Sequence, residues 1–359
     1  MRRTMLWIGL LALLTGCGAA QSGAPTATSS TAAGKAQLVV MTHDSFAVSK
    51  EVIAAFEQQS GATVTLLPSG DAGASLNKAI LSKGSPLADV LYGVDNSFLS
   101  RALDADIFEP YASPALAQIP DRLRLDATDR LLPVDFGYVT INYDKAALAA
   151  AKLQPPADLR ALTQPAWKGR LVVQNPATSS PGLAFLLATV ATFGESGGYS
   201  WKDFWRELRA NDVLVSEGWS DAYNAQFSGG AGKGPRPLVV SYATSPAAEL
   251  VFAADPKPSA PPTGSVDAGA FEQTEFVGIL KGTKQRQLAE QFVDFMLSKP
   301  FQEDMPLQMF VYPARSDAAL PAVFTTFAAL PATPKQLTPA EIGAGRERWI
   351  AEWTQIVLR

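Results

Sequence analysis

The sequence predicts an α/β protein with a layered, largely parallel sheet. Short β-type runs alternate with amphipathic helical segments along most of the chain. With 359 residues, of which 47% are hydrophobic, the chain is long enough and apolar enough to bury two cores of ordinary size. No internal repeat of about 20 to 50 residues is visible, which argues against a solenoid or a propeller.

The predicted elements follow from local pattern. β-type runs predict strands at 37–41, 63–67, 88–93, 139–143, 170–173, 237–242 and 275–280. Apolar spacing and turn residues predict helices around 48–56 (ended by Gly61), at 75–81, 181–192, 199–210 and 220–227, around 288–296, and at 339–358. We expect Trp349 and Trp353, four residues apart in the last helix, to anchor packing.

The N-terminus has the pattern of an export signal. Two arginines precede the apolar run 5–14, which is shorter than the roughly 20 residues of a membrane span. Cys17 follows a small residue, as in a bacterial lipoprotein box, where it would be acylated and become the mature N-terminus; the alternative is an ordinary signal peptide that contains a thiol. We therefore expect a signal peptide at 1–16, a flexible tether at 17–36, and a location outside the cytoplasm with a lipid anchor at Cys17.

Composition narrows the function classes. The formal net charge is −4 and no basic stripe appears, so nucleic acid is not an expected partner. Cys17 is the only cysteine and His43 the only histidine, and the sequence contains no nucleophile elbow, zinc-protease motif or Walker loop. We expect no enzymatic activity, no cofactor and no metal. The least favoured alternative is a surface-anchored hydrolase that uses His43 with Asp44 or Asp135.

Three segments place hydroxyls or aromatic rings beside a predicted helix start: 178–183, 218–223 and 241–246. In the first, Ser180 is the expected N-cap and Pro181 the first helical residue, so the free N–H groups and the hydroxyls of Ser179 and Ser180 could hold an anion. The alternative interpretation is simply a well-capped helix.

The other two segments add aromatic rings. Trp219 and Tyr223 lie one helical turn apart, beside Ser220 as the expected cap, and suit a flat or cationic ligand; the alternative is a hydrophobic staple. Tyr242 ends a predicted strand, where open α/β sheets bind ligands. Together the three segments predict a cleft with aromatic walls and polar helix starts.

Several stretches carry a family resemblance across residues 39–359. The chain resembles the thiamine-binding substrate-binding proteins of bacterial ABC thiamine importers, in the type II periplasmic-binding-protein superfamily. The matching stretches are 42–47, 88–96, 134–138, 178–183, 218–223, 241–246, 312–313 and 348–353.

The resemblance implies a two-lobed α/β fold, with a mixed sheet flanked by helices in each lobe and the ligand cleft between the lobes. Lobe I would contain 37–138 and 279–359, and lobe II would contain 139–278. The connecting strands would cross near 137–142 and 276–280, and closure about this hinge is what the importer would sense.

The resemblance also implies a set of ligand-binding residues. Trp219 and Tyr242 would flank the rings of thiamine with Tyr223 nearby, Asp71 would face the aminopyrimidine, and the Ser179–Ser180 helix start would receive the hydroxyethyl or phosphate end. The fixed positive charge of the thiazolium favours aromatic faces and carboxylates. The complete expected set is His43, Asp44, Asp71, Asp95, Asp135, Ser179, Ser180, Trp219, Tyr223, Tyr242 and Phe310.

The chain departs from the family pattern at three positions. His43 and Phe310 stand where other aromatic residues are expected, and Lys50 lies where an early-helix tryptophan is missing. These changes should weaken stacking by about 1–3 kcal/mol if all three positions contact the ligand. His43 would also introduce a pH dependence near its ordinary pKa of about 6.5.

The expected function is therefore a monomeric extracytoplasmic receptor that binds thiamine or a thiamine phosphate and delivers it to an ABC importer permease. A receptor of the same fold for ferric iron, a polyamine or a phosphonate is the alternative. The sequence has no adjacent tyrosine pair of the kind that iron receptors favour.

Overall fold

The computed structural model describes residues 35–230, 232–328 and 330–359, and residues 35–359 form one compact unit. The predicted signal peptide, Cys17 and most of the predicted tether lie outside the described residues. In the part of the chain that the structure describes, no helix is both long and apolar enough to cross a membrane.

Strands and helices alternate along the described residues. The strands are β1 (Gln37–Thr42), β2 (Thr63–Pro68), β3 (Val90–Asp95), β4 (Phe108–Glu109), β5 (Leu132–Asp144), β6 (Leu171–Gln174), β7 (Leu214–Ser216), β8 (Leu238–Tyr242), β9 (Thr263–Leu280) and β10 (Tyr312–Pro313). The helices are α1 (Lys50–Ser60), α2 (Ala72–Leu81), α3 (Leu99–Asp104), α4 (Lys145–Ala150), α5 (Ser180–Phe193), α6 (Trp201–Ala210), α7 (Trp219–Asp221), α8 (Ser245–Val251), α9 (Arg286–Met296), α10 (Lys299–Gln308), α11 (Ala322–Phe327) and α12 (Pro339–Val357).

The main sheet has the strand order β2-β1-β3-β9-β5-β8-β6-β7. Its ends are parallel, since β1 pairs in parallel with β2 and β3, and β6 with β7 and β8. Its centre is antiparallel, because β9 runs against β3 and β5, and β5 against β8. The expectation of a largely parallel sheet therefore holds only at the two ends.

Two long strands connect the two ends of the sheet. β5 has 13 residues and β9 has 18, whereas the sequence pattern predicted only 139–143 and 275–280. Irregularities interrupt the alternation of side chains, because the register shifts between Pro133 and Asp135 and again between Val139 and Ile141. A strand broken by such bulges does not show a continuous period of two.

Two predicted helix starts are wrong, each by a small shift. The N-cap of α5 is Ser179, so Ser180 is already the first helical residue and its hydroxyl is free to bond elsewhere. The N-cap of α7 is Gly218, not Ser220, and the chain continues as a π-helical turn over Ala222–Gln226 instead of a regular helix. Gly61 does end α1, in the left-handed conformation that glycine adopts at little cost.

The last helix, α12, packs against both α3 and α6. Trp353 is fully buried and meets Trp205 of α6 edge-to-face, with 5.5 Å between ring centroids. Trp349 is also buried. Both tryptophans therefore lie in the core, as the sequence predicted, and α12 links the helices at the two ends of the sheet.

Candidate functional site

A cavity of about 210 Å³ is lined by residues after β1, at the end of β8, within β9 and just before β10. Five of the residues expected to bind ligand line this cavity: His43, Trp219, Tyr223, Tyr242 and Phe310. The sequence missed several others, chiefly Glu249, Phe252, Glu275, Thr244 and Met309.

One wall is formed by a stacked aromatic pair. The rings of Trp219 and Tyr223 are nearly parallel, with centroids 5.0 Å apart. Trp219 Nε1 donates to the hydroxyl of Ser241 over 2.9 Å, and the Tyr223 hydroxyl donates to Glu249 Oε1 over 2.6 Å. Each ring is thus fixed by its polar atom, which makes the wall rigid.

Another part of the lining contains Phe310, whose backbone has a φ of +54°. That conformation is unfavourable for a non-glycine residue, and the Thr244 hydroxyl supports it by donating to the Phe310 carbonyl. The Phe310 ring contacts Phe252, with centroids 5.3 Å apart. Since Phe252 is 71% exposed, this side forms the apolar rim of the cavity.

Three acidic residues lie in register on adjacent strands, and one of them, Glu275, lines the cavity. Glu275 of β9 pairs with Asp95 of β3 on one side and with Asp135 of β5 on the other. All three are buried, and burial raises the pKa of both Asp95 and Asp135 to about 7. Burial, followed by repulsion from Asp135, raises the pKa of Glu275 well above its usual range. We call these three residues the acid row.

Tyr92 connects two members of the acid row. Its hydroxyl oxygen lies 2.6 Å from Asp135 Oδ2 and 3.1 Å from Glu275 Oε2. A tyrosine hydroxyl has one proton and can donate to only one carboxylate at a time. The other contact is a hydrogen bond only when that carboxyl group is protonated and donates to the tyrosine oxygen.

His43 packs against the same groups. Its ring centroid is 5.6 Å from that of Tyr92, and Nδ1 lies 2.9 Å from the Ser45 hydroxyl. Its Nε2 is buried without a hydrogen-bond partner, 3.8 Å from Glu275 Oε1. Burial lowers the pKa of His43 to about 4, so the ring is neutral at neutral pH and does not titrate near 6.5 as the sequence suggested.

Asp71 occupies a different environment, at the start of two helices. It is the N-cap of α2, and Oδ1 accepts from the amide of Ala72 over 2.7 Å. Oδ2 accepts from the amide of Trp219 over 2.8 Å. Burial raises the pKa of Asp71, while bonds from the amides of Trp219, Ala72 and Ser180 oppose that shift. The α5 start that we expected to hold a ligand's hydroxyethyl or phosphate end thus faces this carboxyl group.

Six of the expected residues do not line the cavity. Asp44 is exposed. Asp95 accepts from the amide of Ser97 over 2.9 Å and from the Ser180 hydroxyl. The remaining four, also outside the cavity wall, are Asp71, Asp135, Ser179 and Ser180.

Glu275 is the main residue that sequence reasoning missed. Its only local signal is a charge at the beginning of the apolar run 275–280, which the pattern assigned to a buried strand. Its pairing with acidic residues on two neighbouring strands depends on register, which a single sequence does not supply.

Comparison with known proteins shows the family to which the chain belongs. Residues 85–328 match the family of bacterial extracellular solute-binding proteins. The chain is 33% identical to a thiamine-binding periplasmic protein of Salmonella typhimurium and 32% identical to one of Escherichia coli, in each case over 90% of this chain and 94% of the relative.

The fold agrees with a solved structure. A structure described as a periplasmic thiamin binding protein superposes with a TM-score of 0.78 at 31% identity, covering 90% of this chain and 97% of that chain. The two-lobed α/β fold and the family resemblance expected from the sequence are thereby confirmed. The chain belongs to the family of bacterial extracellular solute-binding proteins that includes the thiamine-binding periplasmic proteins, a family that works outside the cytoplasm.

Proposed function

We propose that this protein binds thiamine in the cavity described above and delivers it to an ABC importer. The observation that carries the proposal is the combination of a rigid aromatic wall and a buried carboxyl, Glu275, in one cavity. The relatives with the highest identity quoted above bear the name of thiamine-binding proteins.

The chemistry of thiamine fits this cavity. Thiamine has two flat rings, and its thiazolium carries a fixed positive charge. Flat cations bind well against aromatic faces, and the attraction grows when water is excluded. The rings of Trp219, Tyr223, Tyr242 and Phe310 supply such faces, and Glu275 supplies a carboxyl group. With His43, these are the residues that we propose contact the ligand.

We further propose that the lobes comprise residues 37–138 with 279–359, and residues 139–278. The long strands β5 and β9 would then form the hinge, and two contacts would close the cleft: Asp71 with the Trp219 amide, and Asp95 with the Ser180 hydroxyl. Four of the expected residues would thus act in closure: Asp71, Asp95, Ser179 and Ser180. Asp135 would lie beneath Glu275, and Asp44 would lie at the exposed edge. The contacts of α12 with both α3 and α6 would limit how far the lobes separate.

We propose that export and acylation at Cys17 place a monomeric receptor on the membrane beside its permease. The tether from residue 17 to 36 is rich in small and polar residues, the composition of a flexible linker. Replacement of Cys17 by serine should move the protein from the membrane fraction to the soluble extracytoplasmic fraction. Retention of the variant in the membrane fraction would contradict the anchor.

The direct test of function is a titration of the mature protein with thiamine in which binding is monitored by tryptophan fluorescence. We expect saturable quenching at micromolar thiamine or below, because Trp219 lines the cavity. Thiamine monophosphate and diphosphate are titrated in parallel. The absence of a response to all three compounds would exclude the proposed function.

A further inference from the structure

We propose that Glu275 is the counter-ion of the bound organic cation, and that it becomes charged by releasing to solvent the proton it shares with Asp135 through Tyr92. This inference rests on the proposed function, since it takes a ligand of permanent positive charge. Ligand binding and the release of one proton would then be a single coupled event.

The first support is a count of protons. Asp135, Tyr92 and Glu275 form a chain of two short contacts, 2.6 Å and 3.1 Å, centred on one hydroxyl oxygen. If both carboxyl groups were ionised, one carboxylate would face the tyrosine oxygen without a proton between them. One additional proton on either carboxyl satisfies both contacts, so the cluster holds that proton in the absence of a nearby cation.

The second support is the charge of the surroundings. The titratable groups that face Glu275 come from four neighbouring elements: Tyr92 and Asp95 of β3, Asp135 of β5, Tyr242 of β8, and His43 after β1. None of these groups carries a positive charge at neutral pH, since burial holds the pKa of His43 at about 4. A cation in the cavity would be the positive partner that these groups do not supply.

The third support is the position of Glu275 relative to the cavity. Glu275 and His43 both line it, whereas Asp95 and Asp135 do not. The Nε2 atom of His43 is buried, lacks a hydrogen-bond partner and lies 3.8 Å from Glu275 Oε1. The middle member of the acid row, Glu275, is therefore the carboxyl group that faces the cavity and can meet the charge of a ligand.

The coupling predicts how affinity changes with pH. Binding converts a cluster with one shared proton into one with two ionised carboxylates, the proton passes to the buffer, and no bond of the ligand changes. Below the pKa of the free cluster, the affinity should therefore rise about tenfold for each pH unit and level off above it. A neutral molecule of the same shape would gain no affinity from ionisation of Glu275. The coupling of binding to proton release therefore also selects for a charged ligand.

The experiment is calorimetric titration of the mature protein with thiamine in two buffers that differ in ionisation enthalpy, from pH 6 to pH 8.5. We expect release of about one proton per thiamine at pH 8, above the pKa of Asp135, and a dissociation constant that falls as the pH rises. The Glu275→Gln variant should bind at least tenfold more weakly and release no proton. The Asp135→Asn variant should also lose proton release, while keeping more of the affinity.

The matched control is Glu272→Gln, which makes the same substitution on the same strand outside the cavity and should bind thiamine and release a proton as the wild type does. Circular dichroism of each variant establishes that it is folded, and Asp135→Asn supplies the test if Glu275→Gln does not fold. Thiamine binding without proton release, or equal release by Glu275→Gln, overturns this inference and leaves the proposed function intact. The absence of any thiamine binding overturns both.

Discussion

Two acidic regions of the cleft, the surroundings of Asp71 and the acid row, differ in how the buried carboxyl groups are compensated. Asp71 lies at helix starts and accepts from the amides of Ala72 and Trp219, so the protein itself supplies the donors that an ionised carboxylate needs. Asp135 and Glu275 share the single hydroxyl of Tyr92. The first region is complete without a ligand, and the second lacks positive charge.

This difference separates two tasks that one cleft must perform. Contacts that the protein completes by itself suit the closed form of the cleft, because both the donor and the acceptor come from the protein. Contacts that lack a partner suit recognition, because a ligand that supplies the missing charge gains the whole benefit. Trp219 belongs to both regions, since its amide binds Asp71 and its ring lines the cavity.

The largest expected effects come from two tryptophan variants. Trp349→Ala removes a buried ring from the core and should lower the free energy of unfolding by about 3–5 kcal/mol without changing thiamine affinity.

Trp219→Ala keeps the amide bonded to Asp71 and removes the ring, so it should weaken thiamine binding by about 2 kcal/mol, roughly 30-fold. Chemical unfolding and fluorescence or calorimetric titration measure the two effects. A loss of affinity in Trp349→Ala equal to that in Trp219→Ala would contradict the separation.

The second expected effect is a loss of stability as the pH rises. Asp95 and Asp135 have a pKa of about 7 in the folded protein against an ordinary value of 3.8, so the folded state holds more protons than the unfolded state between these limits. Stability must therefore fall with rising pH in that range, whereas the lowered pKa of His43 acts in the opposite direction only between about pH 4 and 6.5.

We expect the ligand-free protein to lose about 2 kcal/mol of unfolding free energy between pH 6.5 and 8.5. Urea unfolding at a series of pH values measures this loss, and saturating thiamine should reduce it. If the unfolding free energy is constant or increases over this interval, ionisation of the acid row does not destabilise the folded protein, and the prediction is wrong.

The smallest expected effects are a matched pair of opposite sign. Asp71→Asn weakens bonds from two backbone amides and should destabilise the ligand-free protein by about 1–2 kcal/mol. Asp135→Asn removes a buried charge from the acid row and should stabilise the protein by about 1 kcal/mol at pH 8, with little effect at pH 5. Unfolding curves at both pH values test the pair. The same sign for both variants at pH 8 would remove the distinction between the two regions.

Local pattern was enough to single out three of the aromatic residues that line the candidate cavity. Trp219, Tyr223 and Tyr242 stand at helix or strand ends next to hydroxyl groups, and that arrangement is visible in a single sequence. The one-residue shift at the start of α5 could not be seen, because Ser179 and Ser180 are equally good caps by residue type. The shift matters, since it directs the Ser180 hydroxyl towards Asp95.

The acid row lay beyond sequence reasoning for a different reason. Asp95, Asp135 and Glu275 are separated by 40 to 180 residues along the chain and meet only through strand register. Register shifts between β5 and β9 hide the alternation that would reveal which residues pair. Likewise, the depressed pKa of His43 follows from its burial against Tyr92, which no local pattern encodes.

A crystal structure of the protein with thiamine tests the contrast between the two regions most directly. We expect the thiazolium ring to lie within about 6 Å of the Glu275 carboxylate, with its rings against Trp219 and Tyr242, while Asp71 keeps its bond to the Trp219 amide. A structure in which Asp71 turns to the ligand and Glu275 has no cation beside it would contradict this assignment.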